Sequence, residues 1–138
     1  MNGLVTDKRF ARVLDLPISF AQTEIRAGGS MLVAAFPLTL FQRLELRSLT
    51  ITLINILTPN IIPAYLNTAL GLCSVGLYRS TMLTSPLAYA TYIDQTSTAN
   101  PFSPCIIETP GTYVVIVSNN TNNADLSVCA TGSIKLFY

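Results

Sequence analysis

Between Leu126 and Tyr138 the apolar residues Leu126, Val128, Ala130, Ile134, Leu136 and Tyr138 all fall on even positions, with Ser127, Thr131, Ser133 and Lys135 between them. A period of two belongs to a strand with one covered and one wet face, and a helix does not sustain it. Gly132 keeps the parity, which predicts a bend or the close approach of another backbone. The same period runs through RLELRSLTITLINI, where Leu44 and Leu46 alternate with Arg43, Glu45 and Arg47, and Leu49, Ile51 and Leu53 alternate with Ser48, Thr50 and Thr52. The apolar parity reverses between Leu46 and Leu49. A slip of one residue would turn half of the strand's apolar set outward, so a bulge is expected near Arg47 and Ser48.

Further strands follow. Leu70–Arg79 carries Gly71 and Gly76, which weaken a helix, and reads as a strand. Leu87, Tyr89, Thr91 and Ile93 share a face opposite Ala88, Ala90 and Tyr92. In TPGTYVVIVSNNTNN a Pro-Gly turn leads into five apolar or aromatic residues, so Tyr113, Val115 and Val117 face one way while Val114 and Ile116 face the other. Both faces then need cover. TPNIIPA reads as an extended loop, because each proline pushes its predecessor out of helical space. Ala64–Ala69 is compatible with a helical turn, and Asp94–Pro104 reads as a long polar loop that crosses between sheets. Gly28-Gly29 reads as a turn ahead of the strand-like MLVAAF. Six to eight strands with little helix predict an all-β chain, an antiparallel β-sandwich or jelly roll with an N-terminal arm. Residues 1–35, which lack a clean period, are expected to form the arm or the first elements, and residues 36–138 the sandwich domain.

The charges constrain the surroundings of the fold. Only 11% of the 138 residues are charged, against roughly 25% in ordinary soluble domains. Ten of the fifteen lie between Met1 and Arg47, leaving Arg79, Asp94, Glu108, Asp125 and Lys135 for the rest. So neutral a body suits contact with other subunits better than free solution. A net charge of +1 gives no field for steering phosphates, and Lys8, Arg9 and Arg12 are interrupted by Asp7 and Asp15, so nucleic acid is not an expected partner. The segment MNGLVTDKRF has charges where a secretory leader would be apolar, which points to synthesis in a cytoplasm. The charge-free run Ser48–Tyr78 is long enough to raise a membrane span, but Pro59, Asn60 and Pro63 break it, and a bilayer has no donor to replace those a proline removes.

No histidine or tryptophan occurs. The absence of histidine excludes histidine-based metal sites, Ser-His-Asp or Cys-His catalysis and the commonest general base. The carboxylates are scattered singly, without the spacing of a calcium loop, and no phosphate-binding glycine motif is present. No catalytic residue, metal or cofactor is expected, and the chain is not read as an enzyme. Cys73, Cys105 and Cys129 are odd in number and widely spaced, which predicts free thiols. Asn119, Asn120, Asn122 and Asn123 leave two readings open: a plain hairpin loop, since asparagine tolerates left-handed backbone, or a sugar site using amide hydrogen bonds and a stacked tyrosine such as Tyr113 or Tyr92.

The segment ETPGTYVVIVSNNTNNADLSVCATGSIKLFY, Glu108–Tyr138, resembles the closing strands of small β-sandwich modules in tailed-phage particles, where a PGTY-V-V strand is followed by a polar loop and a final alternating strand. That resemblance implies a capsid cement or decoration protein, commonly a trimer seated on capsid symmetry axes, and supplies no functional residues. The expected protein is therefore a structural one. It assembles as a homotrimer and decorates or cements a viral capsid, with the major capsid protein or other shell subunits as partners, on the capsid surface of a virion made in the host cytoplasm. The interface candidates are Lys8, Arg9 and Arg12 in the arm and Tyr113, Val114 and Ile116 on the neutral body. The alternative is a carbohydrate-binding module of a phage tail fibre or adhesin that uses Asn120 and Asn122.

Overall fold

The computed structural model describes residues 10–57, 63–66, 70–92 and 105–138. They form eight strands: β1 (Val13–Ile25), β2 (Ser30–Leu38), β3 (Arg43–Ile56), β4 (Cys73–Arg79), β5 (Ala88–Tyr92), β6 (Cys105–Ile107), β7 (Gly111–Asn119) and β8 (Leu126–Phe137). Two four-stranded sheets result, with strand orders β1-β8-β3-β6 and β2-β7-β4-β5, and every pairing is antiparallel. Strand 1 lies beside 8, 2 beside 7, 3 beside 6 and 4 beside 5. This is one long hairpin rolled so that its two arms alternate between sheets, the jelly-roll form of the double-sheet sandwich.

The core fills the space between the sheets. The first sheet contributes Leu44, Leu46, Leu49, Ile51, Leu126, Val128 and Ile134, and the second Cys73, Val75, Leu77, Val115 and Val117. The even-numbered set of β8 therefore faces inward as its period requires, except that Tyr138 lies exposed beyond the strand end. The β3 parity reversal is a bulge: the register against β8 shifts between Leu46 and Ser48, which returns Leu49 and Ile51 to the core. Gly132 stands between Ile18 and Leu49 in the register, and a Cβ there would lie 2.8 Å from the Ser48 carbonyl oxygen. The strands pack closely at the bulge only because β8 has no side chain at that point.

Residues 13–35 form the first elements of the sandwich, the second of the two readings for this segment, and not an arm. β1 forms a long edge on β8 and β2 an edge on β7, so a boundary at residue 35 would cut β2 in two. Their period is blurred because both are edge strands with register shifts, between Phe20 and Thr23 and between Leu32 and Ala34. Each shift resets the inward parity midway. No helical turn forms over residues 64–66, where Tyr65 instead bridges to Thr121. The proline loop at residues 58–62 and the loop at 94–104 lie outside the described residues, although the strands flanking the latter, β5 and β6, do belong to different sheets.

Burial pushes the Cys73 thiol up to about 12, from the 9.0 of a solvated thiol. Between these values the folded chain holds a proton that the unfolded chain has released, so stability falls as pH rises. Denaturant titrations at pH 8, 9.5 and 11 should show a loss that Cys73 contributes at up to about 1.4 kcal/mol per pH unit, and Cys73→Ala should flatten that part of the slope. Gly132→Ala should cost about 1–3 kcal/mol of stability through overpacking against Ser48, read from the same titrations at neutral pH.

Candidate functional site

The loop connections sort the molecule into two ends. At one end the β1–β2, β3–β4 and β7–β8 connections meet, and the Asn119–Asp125 segment ties them together. Asn119 is buried and uses its whole hydrogen-bonding capacity. Its Nδ2 donates to the carbonyl oxygens of Ile25 (2.8 Å) and Ala124 (2.7 Å), and its Oδ1 accepts from the Thr121 backbone N–H (3.0 Å) and lies 2.7 Å from the Thr121 hydroxyl. Asn120 Nδ2 donates to Ser74 Oγ at 3.0 Å and reaches the Leu70 carbonyl at 3.4 Å. Asn123 Oδ1 accepts from Ala64 N–H, and Asp125 Oδ1 from Ala27 N–H. The loop is thus a set of side-chain partners for backbone groups that no ladder satisfies. Of the two residues expected to hold a sugar, Asn120 is committed internally and Asn122 alone is exposed. Tyr113 stands at the far end of β7, and the plain loop reading fits this geometry.

The β2–β3 and β6–β7 connections meet at the opposite end, together with Phe10–Arg12 and Tyr138. Arg12 N–H donates to the Tyr138 carbonyl at 2.8 Å, and Tyr138 N–H donates back to the Arg12 carbonyl at 3.0 Å, fixing the entry to β1 against the exit from β8. The Arg43 guanidinium lies 5.3 Å from the Phe10 ring centroid and 5.9 Å from that of Phe137, and the two rings pack at a tilt with centroids 5.8 Å apart. Arg43 also contacts Glu45 at 3.5 Å and Glu108 at 3.3 Å. A cleft of about 460 Å³ opens beside this cluster, lined by Phe10, Phe41, Gln42 and Glu108.

Of the charges carried by strands, all but one fall on the first sheet. Asp15, Lys135 and Glu45 stand in register across β1, β8 and β3, on the side away from the core. Lys135 pairs with Asp15 at 3.2 Å and Arg47 with Glu45 at 2.5 Å. The strands of the second sheet carry a single charge, Arg79 at the end of β4. Short of that strand end, its outer face is made of neutral groups.

The structure places the sequence-derived interface candidates unevenly. Lys8 and Arg9 lie outside the described residues, and Arg12 is exposed. Tyr113 is 1% exposed and faces the inter-sheet core, its hydroxyl donating to the Thr109 carbonyl at 2.5 Å across the turn into β7. It is a core residue, not a contact residue. Val114 does point outward but is only 6% exposed within the single chain, so no second subunit is needed to cover it. The register puts Val114 beside Tyr78 and Ile116 beside Gly76. The Tyr78 ring lies back over Gly76, where a Cβ would come within 2.8–3.0 Å of it, and burial raises the Tyr78 phenol above its usual range. Ile116 remains half-buried.

The strongest surface feature went unread in the sequence. Leu40 is 67% and Phe41 87% exposed at the tip of the β2–β3 turn, with Phe41 in left-handed backbone at φ 65°. That conformation is uncommon and costly for a residue with a large side chain. Gln42 Oε1 closes the turn by accepting from Thr39 N–H at 2.9 Å. Two adjacent apolar residues with no period before a strand were the only available signal. Among the described residues no group of three or more potential ligands could hold a metal, and no helix is long and apolar enough to cross a membrane. All three cysteines are free, Cys73 buried and the others half-buried.

The amide loop gives a direct test of its structural role. Asn119→Ala takes a donor from the Ile25 and Ala124 carbonyls and the acceptor from the Thr121 N–H, and should cost about 2–4 kcal/mol, at roughly 1–3 kcal/mol per orphaned group with partial relaxation. Asn122→Ala should stay within about 0.5 kcal/mol. Chemical denaturation of the two variants beside the parent chain reads both.

Comparison of the chain with protein-family models, with curated proteins and with solved structures finds no match.

Proposed function

We propose that this protein is a structural subunit that assembles with copies of itself, as a trimer, and decorates or cements a viral capsid. The carrying observation is the segregation of charge. One sheet holds the ion-pair network on its outer face, while the other sheet and the β2–β3 tip present a surface of neutral residues with Leu32, Leu40 and Phe41 exposed. A surface divided in this way fits a subunit with one wet side and one side against neighbours. The jelly-roll form agrees with this reading, since capsid domains are among those built on it, but the fold alone does not carry it. In this reading the exposed Arg12, with Lys8 and Arg9 preceding it, grips the underlying shell by charge, and the shell subunits are the partners on the capsid surface.

A sugar-binding role has less support, because Asn119, Asn120 and Thr121 are buried and bonded within the loop.

Light scattering of the purified chain, followed by electron microscopy of the particles it co-purifies with, tests the proposal. The expected result is a multiple of the 14.9 kDa chain mass and decorated shells. A monomer found on no particle would overturn it. Deletion of residues 1–9 spares Phe10 and β1, so it should leave the melting temperature unchanged while weakening retention on shells in a pull-down at low salt, a difference that narrows as salt is raised.

A further inference from the structure

We propose that β2 is a joining edge, along which two copies of this chain pair their β2 strands antiparallel about a two-fold axis. The inference rests on the assembly reading above and deepens it by naming a contact; a two-fold joint does not close a trimer, so it links one trimer to the next. The four sheet edges differ in a telling way. β1 is guarded by charge, with Asp15 and Glu24 along it, which discourages pairing, while its proline and register shift have counterparts in β2. β6 has three residues and β5 five, too short for a long ladder. β2 has nine, and the sequence from Ala27 to Gln42 contains no charge at all. Among the described residues no strand pairs with its free side.

An open strand edge asks for a particular kind of partner, since its backbone N–H and C=O groups are satisfied by another extended strand. The two ends of this edge match each other. Leu66, 61% exposed, lies at the start, where its Cδ1 is 3.2 Å from the position a Gly28 Cβ would take. Leu40 and Phe41 project at the finish. Antiparallel pairing about a two-fold axis sets the finish of one strand against the start of the other, so the Leu40–Phe41 tip of each copy meets Gly28 and Leu66 of its partner. Leu32, 58% exposed, and Met31 stand between. Every contact is apolar against apolar and recurs on both sides, as an isologous interface demands.

The area is of the right order. A phenylalanine offers about 150–250 Å². With Phe41, Leu40, Leu32, Leu66 and Met31 contributed twice, the buried surface reaches the order of 1,000 Å² that separates specific interfaces from incidental contacts. Pro37 lacks an N–H and the register shift lies at Leu32–Ala34, so the new ladder is short. Two-fold closure uses up the edge, giving a finite joint rather than an endless sheet.

Sedimentation analysis of the full chain across a range of concentrations tests this, with Leu32→Lys and Phe41→Asn as variants. Asparagine tolerates the left-handed backbone at position 41, so that variant keeps the monomer fold even if the lysine variant fails to fold. Each variant should weaken association by about tenfold or more, with circular dichroism unchanged for Phe41→Asn and its melting no lower than the parent's at concentrations where both are monomeric. Amide exchange over Met31–Phe36 should slow as the parent chain associates. If association is as strong in both folded variants as in the parent, or in Phe41→Asn alone when the lysine variant does not fold, the β2 contact is overturned while the assembly reading stands. A parent chain that stays monomeric in solution yet binds shells also overturns the β2 contact and leaves shell decoration standing. A monomer that binds no particle overturns both.

Discussion

Rolling one long hairpin into two sheets takes the backbone out of its ladders at every crossover, and the exposed N–H and C=O groups must be satisfied where water is scarce. At the end where the β1–β2, β3–β4 and β7–β8 connections converge, backbone-to-backbone bonds between the connections meet part of that need and the side chains of one short segment, Asn119–Asp125, meet much of the rest. Asn119 sits at the end of a central strand, so its amide reaches the last carbonyl of β1 and the approach to β8 together, while Asn120 and Asn123 hold the connection between β3 and β4. Neutral amides suit the task because each offers donors and acceptors at once, and a carboxylate in the same place would oppose two carbonyl oxygens. The opposite end is closed by short turns and by the Phe10, Arg43 and Phe137 cluster, where an arginine bridges an aromatic pair and two carboxylates.

This distribution explains which parts were legible in the sequence. The interior strands β3, β4, β7 and β8 could be read directly, as could the edge strand β5, and even the bulge at Leu46–Ser48 left its mark as a parity reversal. The edge strands β1 and β2 were not legible as such. In β1, Leu14, Leu16, Ile18 and Phe20 do alternate with Asp15, Pro17 and Ser19, but the register shift between Phe20 and Thr23 reverses the inward face halfway, and the mixture of charge and proline made a regular strand resemble an irregular arm. The asparagines left two readings open for a related reason. A polar run between strands looks like a solvated loop, and nothing local distinguishes an amide that faces water from one enclosed by three converging connections.

Val114 shows how a correct local inference can have its answer within the chain. Its strand is apolar on both faces and both do need cover, as the alternation requires. The cover on the outer side includes Tyr78, one strand away, whose ring can lie flat only because Gly76 has no side chain beneath it. Tertiary pairing supplied what seemed to call for another subunit, and pairing is the information that a single sequence withholds.

That self-covering also bears on how so neutral a protein associates selectively. If the whole outer face of the second sheet were bare, with Val114 and Ile116 in water, any apolar surface could adhere to it and the contact would have no defined register. The Tyr78 roof closes the middle of the face. What remains exposed lies at the margins, in Leu32 along β2 with Leu40 and Phe41 just beyond it, and in Tyr89 on β5 with Leu87 before it. A margin has direction that a flat patch lacks, because its backbone groups admit a strand in only a few alignments. The same low charge that would make an open sheet adhesive becomes, once confined to an edge, compatible with a single mode of contact.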